Sequence, residues 1–316
     1  MKSFLLKNKS NTQVKVLDYG CRIISILVPS STGELIESVL HYPELNDYLN
    51  DKNYLGCTIG RYANRISEAS FQIKQEKVQL SKNENGINHL HGGFEGLDKK
   101  MWILENQTDT RIEFSYLSKD GEEGYPGNIN IHVIYELDDY KTLKITYLAN
   151  TDRETILNLT NHSYFNLSDN RKSIDSHFIQ ILTDRYSPMD ENHIPIMPFD
   201  KLVHREVYDL SKGAKVAEKK EQIINANYIF QPDHKFKEQA ILTDLNTGRK
   251  LKISSDYPSL QVYFGKFLEG GLIPCSGICC EPHYAPNSPN IDIFPSVVLK
   301  PGDQYIHNIT YEFENY

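Results

Sequence analysis

The stretch INIHVIYELDDYKTLKITY, residues 129–147, contains the clearest β-hairpin pattern in the sequence. Apolar residues recur at every second position on both sides of a polar turn at 138–141: Ile129, Ile131, Val133, Tyr135 and Leu137 before it, and Leu143, Ile145 and Tyr147 after it. Period-two alternation is typical of strands that bury one face, and the turn residues reverse the chain. The stretch therefore predicts a β-hairpin with one face in the core.

Most of the remaining chain continues this pattern. Short apolar alternations are separated by turn signals about every 8–12 residues, which is the spacing of a sandwich or barrel. Only residues 212–224 have the pattern of a short helix. We find no internal repeat, low-complexity tract or linker. The sequence predicts an all-β fold, a large antiparallel β-sandwich with few short helices, in a single domain over residues 1–316.

Bulk properties exclude several classes of function. The net charge is −8 and Lys and Arg form no dense cluster, which argues against nucleic acid as a partner. No apolar stretch approaches the ~18 residues of a membrane span, and residues 1–16 lack the apolar run of a signal peptide. The five cysteines form no CxxC pair, which predicts free thiols and a cytoplasmic location. The adjacent Cys279 and Cys280 should point to opposite faces of a strand.

Two segments in the first third of the chain concentrate polar groups. GRYANRI at 60–66 carries two arginines whose guanidinium groups can donate to an oxygen-rich ligand, although a surface ion pair is the commoner fate. NHLHGG at 88–93 places His89 and His91 two residues apart, on one face if the segment is extended. No carboxylate or cysteine stands nearby to complete a metal site, so we predict none.

Two later segments carry groups that can move protons. NHSYFNLS at 161–168 contains His162 among amides, hydroxyls and aromatic rings. Histidine can exchange a proton near neutral pH, although a lone histidine at a strand end is more often structural. CEPH at 280–283 places Glu281 at the end of an apolar strand. Partial desolvation there would raise its pKa and make it a better base at neutral pH, whereas a solvated glutamate would stay ordinary.

Taken together, these segments carry a family resemblance. The motifs, in chain order, are GRYANRI at 60–66, LHGG at 90–93, GEEGYPG at 121–127, NHSYFNL at 161–167, QVY at 261–263 and EP at 281–282. Their order resembles that of aldose 1-epimerases (galactose mutarotases), and the resemblance extends from about residue 18 to about residue 313. LKPGDQY at 299–305 is similar to the end of that family's sequences.

The resemblance implies a galactose mutarotase-like supersandwich with an open sugar cleft. It implies an isomerase that interconverts the α and β anomers of a free aldohexose such as galactose or glucose, without cofactor or metal. The partner is then a small-molecule sugar, bound by a monomer or homodimer. By the family pattern Glu281 is the general base and His162 the general acid, and the substrate-binding residues are Asn64, Arg65, His91, Gln261 and Asn225. Asn161 and Ser163 become candidates for fixing the His162 imidazole.

The sequence departs from the family in one binding segment. Asn225 stands where the family usually has an aspartate, and Ala226 where it has a histidine; His283 replaces a frequent glutamine. An amide can still bond a hydroxyl but loses the charge-assisted part of the bond. This leaves open an epimerase of another or phosphorylated sugar, and a non-catalytic carbohydrate-binding protein. A glycosidase would need a second carboxylate beside Glu281, for which the sequence offers no convincing residue.

Overall fold

The computed structural model describes residues 1–196, 200–201 (backbone only), 207–222, 225–233 and 235–316. The helical content of these residues is small: one α-helix, α1 (Val216–Lys219), and the short 3₁₀ segments Leu45–Asn50, Ser67–Ala69, Leu97–Lys99, Glu122–Gly124 and Ser288–Asn290. No described helix has the length and apolarity needed to cross a membrane.

Strands make up the rest of the regular structure. In the first half of the chain they are β1 (Ser3–Lys7), β2 (Gln13–Leu17), β3 (Arg22–Pro29), β4 (Leu35–Glu37), β5 (Thr58–Ile59), β6 (Arg65–Ile66), β7 (Ser70–Ile73), β8 (Glu76–Gln79), β9 (His89–Leu90), β10 (Ile103–Gln107), β11 (Arg111–Ser118), β12 (Ile129–Leu137) and β13 (Thr142–Thr151). In the second half they are β14 (Thr155–Ile156), β15 (Thr160–Asn161), β16 (Tyr164–Phe165), β17 (His177–Ile181), β18 (Arg185–Ser187), β19 (Asp200–Lys201), β20 (Ala214–Lys215), β21 (Asn225–Ile229), β22 (Lys237–Asp244), β23 (Lys250–Ser255), β24 (Ser259–Tyr263), β25 (Ile278–His283), β26 (Val298–Leu299) and β27 (Tyr305–Glu314).

Three larger sheets organise these strands. The first has nine strands in the order β10-β11-β12-β13-β27-β23-β22-β17-β20, and the second has six in the order β16-β25-β24-β21-β18-β19. The third is the N-terminal sheet β1-β2-β3-β4, and short two-stranded pairs complete the fold. The pairings within the three sheets are antiparallel, which confirms the predicted all-β antiparallel class.

The predicted hairpin is β12 and β13, the third and fourth strands of the nine-stranded sheet. Its register pairs Val133 with Tyr147 and Leu137 with Leu143. The alternating apolar residues of both strands are buried, whereas polar residues such as Lys144 occupy the other face. In the turn, the Asp138 carboxylate accepts hydrogen bonds from two backbone N–H groups. Side-chain period and turn chemistry therefore fix the register together.

Three further predictions concern the helix, the adjacent cysteines and the domain. The short helix expected at 212–224 is α1, which occupies four of those residues; residues 223 and 224 lie outside the described residues. Cys280 belongs to the main hydrophobic cluster and Cys279 to a second one, as expected for neighbours on opposite faces. The main cluster extends from Leu6 to Tyr316. That breadth agrees with a single domain over 1–316, which stays a prediction.

Candidate active site

The floor of the candidate site is one face of the six-stranded sheet. Directly opposed residues on β21, β24 and β25 form the row Asn227–Gln261–Glu281, and the next row on the same face contains Cys279. Residues at intervening positions, including Cys280, point to the core. Because side chains alternate across a strand, three short sequence segments combine into one polar surface over an apolar layer.

His162 reaches this floor from the segment between β15 and β16. Its backbone N–H donates to Cys57 O (3.0 Å) and its carbonyl accepts from the Gly56 N–H (2.9 Å). The following strand β16 pairs Tyr164 with Cys279 on β25. These backbone bonds hold His162 beside the strand that carries Glu281.

Glu281 and His162 meet at the bottom of the cleft. Glu281 Oε2 lies 3.6 Å from His162 Nε2, and the two side chains are only 4% and 6% exposed. Burial raises the pKa of Glu281 to about 8, although the nearby Arg65 charge opposes this. Burial lowers the pKa of His162 to about 4. Both shifts disfavour the charged form, so the two groups hold one proton between them at neutral pH.

Cys279 is a third member of this group that the sequence reasoning assigned no role. Its Sγ lies 3.5 Å from His162 Nδ1, and burial raises the pKa of its thiol well above the ordinary value. One ligating atom from each of Cys279, His162 and Glu281 fits within a 4.8 Å group. The thiol and the carboxylate lie at different ring nitrogens, which point in opposite directions. This arrangement favours a hydrogen-bonded row over a shared metal ion; the absence of a metal site stays a prediction.

Asn161 and Ser163 do not fix the imidazole, contrary to prediction. Asn161 Oδ1 accepts hydrogen bonds from the backbone N–H (3.1 Å) and hydroxyl (2.6 Å) of Ser163, and its amide donates to Gly56 O (2.9 Å). They therefore brace the backbone around His162. Ring contact comes from Cys279 and from Tyr164, whose centroid is 5.1 Å from that of the imidazole.

The opposite wall is built by Asn64 and His91. The His91 N–H donates to Asn64 O (3.1 Å), and the Asn64 N–H donates to His91 Nδ1 (3.3 Å). Since Nδ1 accepts, the neutral ring carries its proton on Nε2. Burial, assisted by the repulsion of His162, lowers the pKa of His91 well below its ordinary value. At neutral pH His91 is therefore an uncharged donor beside His162, with ring centroids 5.4 Å apart.

Arg65 is a fixed cation at the rim of the cleft. Its Nε donates to both carboxylate oxygens of Glu84 (2.9 and 3.0 Å), and its Nη2 donates to Glu84 Oε1 (2.6 Å). Its Nη1 donates more weakly to Asn64 Oδ1 (3.4 Å). The ion pair that was the alternative for an arginine here does form, and it orients the guanidinium along the cleft.

Arg61 and His89, which neighbour these residues in sequence, have structural roles. Arg61 is buried and donates to Ser118 Oγ and to two backbone carbonyls. The predicted common face of His89 and His91 is wrong, because His91 adopts a left-handed φ of 52° that ends the extended segment. His89 Nε2 instead lies 2.7 Å from the Tyr125 hydroxyl, and only His91 lines the cleft.

The last two predicted binding residues lie on the sheet floor. Gln261 and Asn225 contact each other, with Gln261 Nε2 donating to Asn225 Oδ1. Asn227, directly opposite Gln261, donates to Gln261 Oε1 (3.1 Å). Asn225 therefore lines the cleft with a side-chain amide that already takes part in a hydrogen-bond network.

The structure brings all seven predicted residues into one cavity of about 220 Å³: Asn64, Arg65, His91, His162, Asn225, Gln261 and Glu281. The sequence reasoning missed Asn53, Tyr54, Tyr164, Tyr263 and Phe267, which also line it. Tyr263 was within reach, since it stands two residues after Gln261 on the same face of β24. Tyr54 has no such signal, because it lies in an irregular segment and packs on His91 (4.6 Å between centroids).

Replacing Asp51 should destabilise the wall that carries Asn53 and Tyr54. Asp51 Oδ2 lies 2.5 Å from the fully buried Arg22 guanidinium and accepts the Leu55 N–H, while Oδ1 accepts the Asn53 N–H. Asp51→Asn leaves the Arg22 charge buried and uncompensated, which costs about 3–5 kcal/mol of unfolding free energy. Urea unfolding followed by circular dichroism measures this.

The matched control for that substitution is Asp139→Asn. Asp139 faces Lys9 in an exposed pair, with the two side chains 48% and 90% exposed. Exposed pairs contribute about 0–1 kcal/mol, so this variant should unfold close to the wild type. Equal losses in the two variants would show that the Arg22–Asp51 pair has no special structural role.

Comparisons with known proteins agree with this architecture. The sequence profile of a family described as Aldose 1-epimerase matches residues 2–312. The aldose 1-epimerase of Escherichia coli (strain K12) is 34% identical over 326 residues, covering 98% of this chain and 94% of that protein. The galactose mutarotase of Sus scrofa is 36% identical over 324 residues, covering 95% and 91%.

Solved structures give the same result for the fold. A GalM/aldose epimerase homologue from C. elegans superposes with a TM-score of 0.91 at 25% identity, over 99% of both chains. A galactose 1-epimerase from Lactobacillus acidophilus superposes with a TM-score of 0.85 at 24% identity, also over 99% of both chains. The predicted galactose mutarotase-like fold is confirmed.

Proposed function

The chain belongs to the aldose 1-epimerase family, and on that premise we propose how its cleft interconverts the anomers of an aldose. The protein is an isomerase of the mutarotase type. The observation that carries the proposal is the buried pair at the bottom of the cavity, with Glu281 Oε2 3.6 Å from His162 Nε2. We assign Glu281 as the general base and His162 as the general acid.

The reaction needs two proton transfers at one hemiacetal. Glu281 as carboxylate removes the proton of the C1 hydroxyl while His162 as imidazolium protonates the ring oxygen. The bond between C1 and the ring oxygen breaks, giving the open-chain aldehyde. After rotation about the C1–C2 bond, the two transfers run in reverse and the ring closes on the other face of C1. Each positioned group contributes about 10²–10⁴-fold.

The pKa shifts of Glu281 and His162 fit this cycle because they determine how many protons the two side chains hold together. Below about pH 8 and above about pH 4, Glu281 and His162 together hold one proton. Carboxylate with imidazolium and carboxylic acid with imidazole contain the same proton, placed differently. The first state begins ring opening and the second accompanies the open-chain sugar. Burial stabilises the state with a carboxylic acid and a neutral imidazole. The open-chain aldehyde is therefore formed beside a Glu281–His162 pair that needs no further proton.

The walls hold the sugar over this pair. We propose that His91 donates its Nε2–H to a sugar oxygen, since its Nδ1 is occupied by the Asn64 N–H. Arg65, held by Glu84, supplies a fixed positive charge that stabilises negative charge developing on sugar oxygens. Gln261 and Asn225 contact hydroxyls from the floor. Preorganised donors of this kind need little reorganisation during the reaction.

The competing functions find less support. A binding protein has no need of an acid and a base 3.6 Å apart in a buried position. A phosphorylated sugar requires free cations, yet Arg65 is engaged by Glu84, and Lys52 is the other Lys or Arg among the described residues that line the cavity. We therefore propose a neutral aldohexose such as galactose or glucose as the substrate, acted on by a cytoplasmic monomer or homodimer.

The test is polarimetry of freshly dissolved α-anomers. The protein should accelerate relaxation of α-galactose or α-glucose to the anomeric equilibrium well beyond the spontaneous rate. Sugar binding without acceleration would establish a carbohydrate-binding protein instead. Hexose 6-phosphates belong in the same panel, because a strong preference for them would overturn the choice of a neutral sugar.

Removing the Cys279 thiol should lower kcat and leave KM nearly unchanged. We propose that Cys279 is a positioning residue, because it touches His162 Nδ1 and not the substrate. A neutral hydrogen bond contributes about 0.5–1.5 kcal/mol, so Cys279→Ala should reduce kcat by up to about tenfold. Cys279→Ser keeps a group that can bond Nδ1 and should recover part of the loss.

The control is the neighbouring thiol. Cys280 is buried in the main core and points away from the cleft, so Cys280→Ala creates a similar cavity without touching His162. It should lower the melting temperature and retain kcat. If Cys279→Ala and Cys280→Ala have the same kcat, the positioning role of Cys279 is rejected.

A further inference from the structure

Asn225 and the three polar side chains beneath it form a hydrogen-bond chain in which each donor points outward, towards the cleft, or inward at its buried end, so that every amide has a defined orientation. We propose that this chain makes Asn225 a specificity residue that donates to a sugar oxygen instead of accepting a sugar hydroxyl. The preferred class of substrate then includes aldoses whose oxygen at that position has no hydrogen, such as O-substituted aldoses. This inference rests on the proposed function, since it concerns the same cleft.

The orientation of these amides is fixed at the buried end of the hydrogen-bond chain. Ser259 Oγ donates to the backbone carbonyl of His283 (2.6 Å), so its lone pairs face the Asn227 amide nitrogen (3.4 Å). Asn227 Nδ2 also donates to Gln261 Oε1 (3.1 Å). Gln261 must then turn its Nε2 outward, where it donates to Asn225 Oδ1. A backbone carbonyl can only accept, and this sets the orientation of each amide above it.

The outcome appears at the surface of the cleft. Asn225 Oδ1 is occupied by Gln261, and within the described part of the chain no hydrogen bond engages Asn225 Nδ2. Asn225 is half-buried and lines the cavity, so it offers two N–H donors to a ligand. A carboxylate at this position would offer only acceptors and would require a hydroxyl. An acceptor site rejects a ligand that lacks the donor, because the buried acceptor is left unpaired.

Space for a substituent lies directly beyond Asn225. A second cavity of about 350 Å³ shares Asn225 and His193 with the sugar cleft. Its walls include Tyr186 and Tyr208, whose rings are stacked 5.0 Å apart at 13°. Its size falls within the range of about 300–1,000 Å³ that is usual for small-ligand sites. A group attached to the oxygen that faces Asn225 can extend into this space.

The second cavity also indicates the charge of that group. The described residues that line it include Asp190 and neither Lys nor Arg. Polar partners such as Ser187 and Gln222 stand beside the aromatic rings. Mixed aromatic and neutral polar walls suit an uncharged substituent, whereas a phosphate or carboxylate would meet Asp190 with no Lys or Arg among the described lining residues.

The experiment compares each parent hexose with derivatives altered at one hydroxyl. The 2-, 3-, 4- and 6-deoxyfluoro and O-methyl derivatives of glucose and galactose are followed by polarimetry. Fluorine cannot donate and tests the direction of the hydrogen bond; the methyl ether also tests the space. At the position that faces Asn225, the O-methyl derivative should keep kcat/KM within about tenfold of the parent hexose, since it retains the acceptor oxygen. The deoxyfluoro derivative, a weaker acceptor, should lose less there than at the other positions.

Two substitutions should abolish that tolerance. Asn225→Asp replaces the donors with acceptors, and should lower kcat/KM for the tolerated derivatives about 10- to 100-fold relative to the parent. Asn227→Asp cannot donate to Gln261, so Gln261 and Asn225 should both turn over and present Asn225 Oδ1 to the cleft. It should change selectivity in the same direction, although the substituted residue itself does not touch the sugar.

The outcomes separate this inference from the proposed function. If no aldose is turned over, the proposed function itself fails. If parent hexoses are turned over but every derivative is rejected at every position, or if Asn225→Asp leaves selectivity unchanged, the donor role of Asn225 is overturned. Should Asn227→Asp fail to fold, Asn225→Asp, at a half-buried position in the cleft, still decides the question.

Discussion

Replacing Glu281 with glutamine is expected to reduce kcat for mutarotation by about 10²–10⁴-fold, because the amide cannot take the C1 hydroxyl proton. Glutamine has the same shape and keeps an oxygen near His162, so sugar binding and KM should change little. A loss in kcat with KM retained identifies an interaction needed in the transition state. Polarimetry of fresh α-anomer with saturating sugar measures the loss.

The matched control for Glu281→Gln is Glu34→Gln, which makes the same change at an exposed turn residue. Both variants should be folded by circular dichroism, and Glu34→Gln should keep the wild-type rate. Glu281 carries a buried carboxyl whose pKa is raised to about 8, so its replacement by a neutral amide removes little charge at neutral pH. A Glu281→Gln variant with wild-type kcat would exclude this residue as the base.

Replacing His162 with asparagine is expected to have an effect of similar size, about 10²–10⁴-fold in kcat. Asparagine can still donate a hydrogen bond towards the ring oxygen, but it cannot transfer a proton to it. The Glu281–His162 pair acts as one unit, so the double variant should be scarcely slower than the slower single variant. Polarimetric kcat values for wild type, both singles and the double give this comparison.

His132→Asn is the control for the histidine. His132 lies on the solvent side of β12, paired with Glu113 at 3.0 Å, and belongs to a different sheet from Glu281. It should retain the wild-type rate. Effects of Glu281→Gln and His162→Asn that simply multiply in the double variant would contradict a shared proton and point to two independent contributions.

The sheet could be predicted because its signal is local. In β12 and β13 the polarity of each side chain indicates which face of the sheet it occupies. The polar turn at 138–141 fixes where the pairing of the two strands begins. Tertiary order is not local: the strand next to β13 is β27, from the far end of the chain. The hairpin was therefore predicted from residues alone, whereas the sheet order required the structure.

The site was predictable mainly through the resemblance. A lone histidine at a strand end is more often structural, so the residues alone did not favour a catalytic role for His162. Its position beside Glu281 changes that interpretation. Cys279 stood two residues before Glu281, a spacing that places both on one face of a strand, but its contact with His162 spans 117 positions. The direction of the amides at Gln261 and Asn225 likewise depends on Ser259 and a backbone carbonyl, which no motif records.

Two predictions failed because of local structure: the backbone conformation in one case and local hydrogen bonding in the other. The common face of His89 and His91 assumed an extended segment, and the positive φ of His91 turned it towards the cleft. Asn161 and Ser163 were expected to bond the neighbouring ring, but their amide and hydroxyl satisfy each other and the local backbone. Short polar side chains next to a turn usually bond nearby backbone groups first.

The shared proton of Glu281 and His162 can be tested by the pH dependence of kcat/KM for wild-type mutarotation between pH 5 and 10, with the spontaneous rate subtracted. Burial raises the pKa of Glu281 to about 8 and lowers that of His162 to about 4, so the pair holds its proton throughout the lower part of this range. Above pH 8 that proton is lost, the base remains ionised, and the acid has nothing to donate. We predict a plateau followed by a fall with an apparent pKa of about 8. A value of kcat/KM that stays constant to pH 10 would contradict the shared proton and the assignment of Glu281 and His162.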